Sequence, residues 1–150
     1  MNDLVTRYSR SSSAISEIVN YTVCAIDITW ARLLNFDHTH LLSPANLATY
    51  AAAIHAAGAP VSSIWAFIDC TLRHIARPSR YQQVAYSGYK KAHALKYQAV
   101  AIPNGIIAHL FGPFEGRHAD TFLLAESGLL DKCARYAVQE GSTADSPIEE

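Results

Sequence analysis

The hydrophobic pattern of this 150-residue chain changes period at Pro60, and that change limits its fold more than any other feature. Before Pro60 apolar residues recur at helical spacing. Beyond it they form the runs and alternations of extended chain. Ile64-Trp65-Ala66-Phe67-Ile68 is an unbroken apolar run that ends at Asp69. Flanked by Pro60 and by the polar stretch around Pro78, it reads as a buried strand. Ala94–Ile102 alternates, with Lys96 and Gln98 pointing one way and Leu95, Tyr97, Ala99 and Ala101 the other. Pro103-Asn104-Gly105 then separates it from a second apolar run, Ile106–Phe111. Asn-Gly between two such runs is a strong hairpin signal, so the spacing predicts a three-stranded antiparallel unit.

The helical part is well punctuated. Ile15, Ile18, Val19, Thr22, Ile26, Trp30, Leu33 and Leu34 lay a stripe on one face of a helix, and Ser11, Ser12 and Ser13 offer capping oxygens at its start. With a short Leu4–Tyr8 helix ahead of them, they make a candidate helix-turn-helix, although helical hairpins are far commoner than DNA-reading ones. Ser43 and Pro44 open another helix with Leu47, Tyr50, Ala51 and Ile54 on its apolar face, and Gly58 with Pro60 closes it. Thr121–Ala137 returns to helical spacing with a break at Gly128, and the tail from Glu140 has no core pattern and is expected to fray.

A net charge of -1 conceals a segregation: residues 1–69 sum to -2, residues 70–114 to +6 and residues 115–150 to -5. The middle block holds Arg73, Arg77, Arg80, Lys90, Lys91 and Lys96 and no Asp or Glu. Nothing local neutralises it, so it could attract a polyanion such as DNA; the alternative is pairing with the acidic C-terminal part or a solvated face. Half of the residues are apolar, which excludes a wholly disordered chain. No apolar run is long enough to span a bilayer and no basic-then-apolar leader opens the chain, so neither membrane insertion nor secretion is expected. Three scattered cysteines give neither a disulfide framework nor a zinc pair.

Two acids are candidates for chemistry. A carboxylate at the end of an apolar strand is costly to desolvate unless paired or bound to a cation, which makes Asp69 a candidate ligand for a hard divalent metal; the bland alternative is a cap of the following turn through Thr71 or an acceptor for Arg73. Asp120, in Glu115-Gly-Arg-His-Ala-Asp120, is a second carboxylate for the same site or a first-turn acid of the helix after it. His38 and His40 have no third ligand near them in sequence and read as a loop pair. Cys70 reads as a buried structural thiol. Walker, nucleophile-elbow and zinc-protease motifs do not occur.

Several ordered blocks resemble Harbinger-like DDE transposases. Phe67-Ile68-Asp69-Cys70-Thr71-Leu72-Arg73-His74 and its continuation to Ser79 are similar to the family stretch around the first catalytic aspartate. Tyr86–Val100, Pro103–Ile107 and Phe111–Arg117 resemble the next blocks in order, and Arg7–Ser11 with Ile15–Ile18 the helix-turn-helix region upstream. The resemblance implies an α/β, ribonuclease H-like fold, here incomplete: a helical region over 1–60, the first half of the nuclease domain over 61–138 and a disordered acidic tail over 139–150. It implies divalent-metal chemistry on DNA phosphodiesters, with magnesium as the usual cofactor, Asp69 as the first catalytic carboxylate and metal ligand, and a nuclear location. Asp120 falls in a family Gly-Arg-Arg-His-Asp segment in which His118 and Ala119 depart from the pattern; that Asp is not one of the family's three catalytic acids, so its metal role is the weaker of the two. The basic residues Arg73, Arg77, Arg80, Lys90, Lys91 and Lys96 would contact DNA.

Neither of the family's later acids, one in a Gly-Asp-x-x-Tyr-Pro-like strand and one on a helix beyond it, has a matching position. One carboxylate cannot hold two cations in a fixed geometry, so the expectation is a truncated transposase copy that is inactive alone. Without a neighbouring strand the apolar edge over Trp65–Ile68 is a predicted self-association site. The competing expectation is a non-catalytic DNA-binding protein or partner of a full-length transposase.

Overall fold

The computed structural model describes residues 2–137, and the tail expected to be disordered lies outside them. The chain divides into two compact units, the first ending at Leu33 and the second starting at Leu34.

The first unit is helical. α1 (Asn2–Tyr8) turns through Ser9, whose φ is 50°, into α2 (Ser12–Trp30), and a single 3-10 turn (Ala31–Leu34) follows. The serine cluster caps as expected: Ser11 Oγ accepts from the Ala14 N–H at 3.2 Å. Leu4 and Tyr8 of α1 lie beside Ile15, Ile18 and Val19 of α2. α2 contains Glu17 and Asp27 and no Lys or Arg, and Arg10 and Arg32 flank it.

The second unit begins with α3 (Pro44–Ala56), with Ser43 in the N-cap position and Pro44 in the first turn. Sequence spacing grouped this helix with the N-terminal region, but it packs with the sheet. Leu42 and Leu47 form a buried cluster with Ile102 and Ala108 from the sheet hairpin, and Trp65, Ala66 and Tyr50 pack against it.

The sheet is antiparallel and four-stranded, one strand more than the periodicity predicts: β1 (Phe67–His74), β2 (Tyr86–Ser87), β3 (Ala92–Ala101) and β4 (Ile107–Glu115). A one-turn helix, α4 (Gln82–Ala85), leads into β2. β3 pairs with all three others. The extra strand is a two-residue element in the polar, basic stretch between β1 and β3, too short to generate a hydrophobic period. The Asn-Gly signal holds: Gly105 at φ 82° closes the hairpin, and Asn104 Oδ1 accepts from the Ile106 N–H at 3.1 Å.

β1 starts later and runs further than the apolar run suggests. It extends through Thr71, Leu72 and Arg73, and Phe67 and Ile68 at its start are exposed. Among the described residues β3 is its only partner, so its outer edge is open.

The two faces of β3 are buried in an order that polarity alone would not give. Ala94, Lys96, Gln98, Val100 and Ile102 point to the buried side, while Leu95, Tyr97 and Ala99 are only half-buried. α5 (Asp120–Glu126) packs on β3 and β4 and supplies Leu123, which is fully buried. The helical segment breaks at Gly128, as expected, at φ 57°, before α6 (Leu129–Tyr136).

Candidate functional site

Asp69 is the third residue of β1 rather than its end. Its register partner is Ala99, and those of Cys70 and Leu72 are Gln98 and Lys96. Directly paired residues of an antiparallel ladder share a face, and neighbours along a strand alternate. Asp69 therefore stands on the Ala99 face, and Cys70 and Leu72 on the buried Lys96 face. The Asp69 carboxylate is exposed, and its Oδ1 accepts from the Cys70 N–H at 2.8 Å. That bond is made along the open edge of β1.

Asp120 occupies the first turn of α5, as the helix-dipole reading expects. Its Oδ1 lies 2.7 Å from Lys96 Nζ, and the same ammonium donates to the His118 carbonyl at 2.7 Å. Asp120 and Asp69 are thus on opposite faces of the sheet, and the structure does not bring together the two acids that sequence proposed for one site.

Lys96 is placed apart from the other basic residues of its block. Its side chain is 11% exposed and its charge is matched by Asp120, which sets it apart from the exposed cations of the same block. The Cys70 thiol belongs to this cluster. Burial first, and the nearby Asp120 carboxylate second, push its pKa up, which makes it a poor nucleophile and fits the structural reading.

The remaining basic residues are placed differently. Arg73, Arg77, Arg80, Lys90 and Lys91 are all exposed, and none is ion-paired to a described residue. Arg77 donates through Nε and Nη2 to Gln82 Oε1 at 2.9 and 2.6 Å, which fixes the guanidinium without neutralising it. Lys90 Nζ sits 4.9 Å from the centre of the exposed Tyr89 ring.

Two buried polar groups were not legible in the sequence as a pair. Gln98 Oε1 and His109 Nε2 have no hydrogen-bond partner among the described residues. His109 Nδ1–H donates to the Leu34 carbonyl at 3.0 Å, which leaves Nε2 as an acceptor, and burial holds the imidazole pKa below its ordinary value. His38 and His40 lie in the turn after Asp37, as a loop pair, with the His38 ring stacked on Tyr136.

A divalent-metal centre needs several hard ligands converging on one point. No group of three His, Cys, Asp or Glu residues among the described ones is placed to hold an ion. Asp69 can supply one exposed carboxylate, but a two-cation site needs further acidic oxygens that the described residues do not bring to its face. The described side chains therefore do not fit that metal centre by themselves.

Residues 68–146 match the family of DDE superfamily endonucleases. The match spans more than half of the chain and contains Asp69, the acid-free block and the whole hairpin, so the chain belongs to this family. No curated protein and no solved structure matches it.

Proposed function

We propose that this chain is a DNA-binding member of a Harbinger-type transposase lineage, working in the nucleus, which engages DNA through Arg73, Arg77, Arg80, Lys90 and Lys91. One observation carries this reading: five exposed cations, unpaired with any described residue, come from one acid-free segment. Such an array neutralises backbone phosphates and releases their counterions. Asp69 is the one carboxylate the described residues offer to the family's divalent-metal chemistry, with magnesium as the expected ion.

The non-catalytic version of this reading, a DNA-binding partner for a complete transposase, is favoured by a second observation. Asp120 is held on the far face by Lys96, so Asp69 does not gain it as a co-ligand.

A salt titration of duplex binding tests the first reading. With up to five phosphate contacts, log K should fall with log salt at a slope of roughly -4, weakening binding on the order of a hundredfold or more between 50 and 200 mM. A flat dependence would remove the cationic interface. The second reading is tested with supercoiled DNA and magnesium. The expected result is no nicking above background; robust nicking that disappears in Asp69→Ala would overturn it.

A further inference from the structure

The segment that leads from β1 to β3 does more than carry charge. Arg77, Gln82, Gln83, Tyr86 and His93 line an open surface hollow of about 420 Å³. Every residue of its wall comes from the acid-free block. The Tyr86 ring meets the His93 ring edge-on, with centroids 5.4 Å apart and planes at 65°, so the tyrosine is held at a fixed angle. The two bonds from Arg77 to Gln82 anchor one wall, while the guanidinium keeps its charge. Gln83 adds an amide that can both donate and accept. Tyr81 and Tyr89, the other aromatics of this segment, are 83% and 86% exposed. Tyr81 and Lys91 both have positive φ, 56° and 51°, a conformation that costs a side-chain-bearing residue energy.

A purely electrostatic duplex interface needs none of this. Bases inside a duplex are stacked on one another and offer no face to a protein aromatic, whereas an unpaired base offers two. Aromatic rings for stacking, amides for base edges and a fixed cation for the phosphate together form a single-strand platform. We propose that the hollow between Arg77, Gln83, Tyr86 and His93 is a subsite for an unpaired nucleotide of a DNA strand, with the base against Tyr86 and its phosphate at Arg77. The proposal rests on the DNA-binding reading above and specifies the form of DNA that this surface selects.

The test uses the full chain and a short single-stranded oligonucleotide carrying 2-aminopurine, with the matching duplex and free deoxyadenosine monophosphate as separate arms. Binding of the single strand should quench 2-aminopurine, as stacking does. Tyr86→Ala should weaken single-strand affinity roughly 5- to 100-fold, while Tyr86→Phe retains it and duplex affinity stays unchanged. Wild-type quenching is read independently of whether Tyr86→Ala folds. Absence of quenching, or an equal loss on single strand and duplex, would overturn the subsite and leave the salt-dependent duplex reading standing. Displacement of the oligonucleotide by an equal concentration of the mononucleotide would also overturn it, in favour of a free-nucleotide pocket. Failure of the wild-type chain to bind DNA in any form would defeat both readings.

Discussion

Gly112→Ala should lower the unfolding free energy by about 2–4 kcal/mol, near the upper end of what a single methyl group does. Gly112 lies in β4 where the ladder with β3 loses register between Lys96 and Gln98. Its φ is 135°, outside the regions open to L side chains. A Cβ there would stand 2.8 Å from the Lys96 carbonyl oxygen and 3.0 Å from Tyr97 Cδ1. The oxygen belongs to the backbone of the central strand and cannot rotate away, so either the methyl group is strained or the β3–β4 ladder shifts. Gly88→Ala is the control: nothing lies within 4 Å of its would-be Cβ and its φ is not positive. It should stay within about 0.5 kcal/mol of wild type. Urea unfolding with an unchanged slope measures both, and a Gly112→Ala midpoint indistinguishable from that of Gly88→Ala would defeat the argument.

Lys96 and Lys90 should separate cleanly into a stability residue and a DNA residue. Lys96 threads its stem through the buried face of the central strand and ends on Asp120 and the His118 carbonyl. Lys96→Ala removes that packed stem and both charge-assisted bonds, for a loss of about 2–4 kcal/mol. The loss stays below that of a fully buried pair because the Asp120 side chain is 66% exposed and water screens it. DNA affinity and its salt slope should be unchanged in the folded fraction. Lys90 is exposed over Tyr89 and has no ion-pair partner among the described residues. Lys90→Ala should leave the urea midpoint unchanged and make the salt slope shallower by about 1. The two variants are compared by urea unfolding and by DNA binding across a salt series. A Lys96→Ala protein that is fully stable, or that loses a phosphate contact, would show that its ammonium reaches solvent.

These two lysines also mark the limit of sequence reading. Both belong to the same acid-free block, and charge arithmetic treats them alike. Asp120 lies 24 positions beyond Lys96 and is the acid that neutralises it. The block is therefore acid-free along the chain but not in space, and its usable charge is the exposed part. The hollow beside Tyr86 was hidden for a similar reason. The segment between β1 and β3 reads as a basic turn, and its two-residue strand and one-turn helix are too short to produce a period.

The sequence by itself determined the local elements. Ser11 capped its helix, Pro44 opened α3, Asn104-Gly105 closed the hairpin and Gly128 broke the last helical segment, because each depends on the conformational limits of a few neighbouring residues. Only the tertiary structure decided which face of β3 is buried. Alternation divides a strand into two faces without saying which one a helix will cover, and α5 covers the one bearing Lys96 and Gln98. The same choice separates Asp69 from Asp120. Adjacent positions on β1 point to opposite sides of the sheet, and the ion pair with Lys96 draws Asp120 to the side that Asp69 does not face.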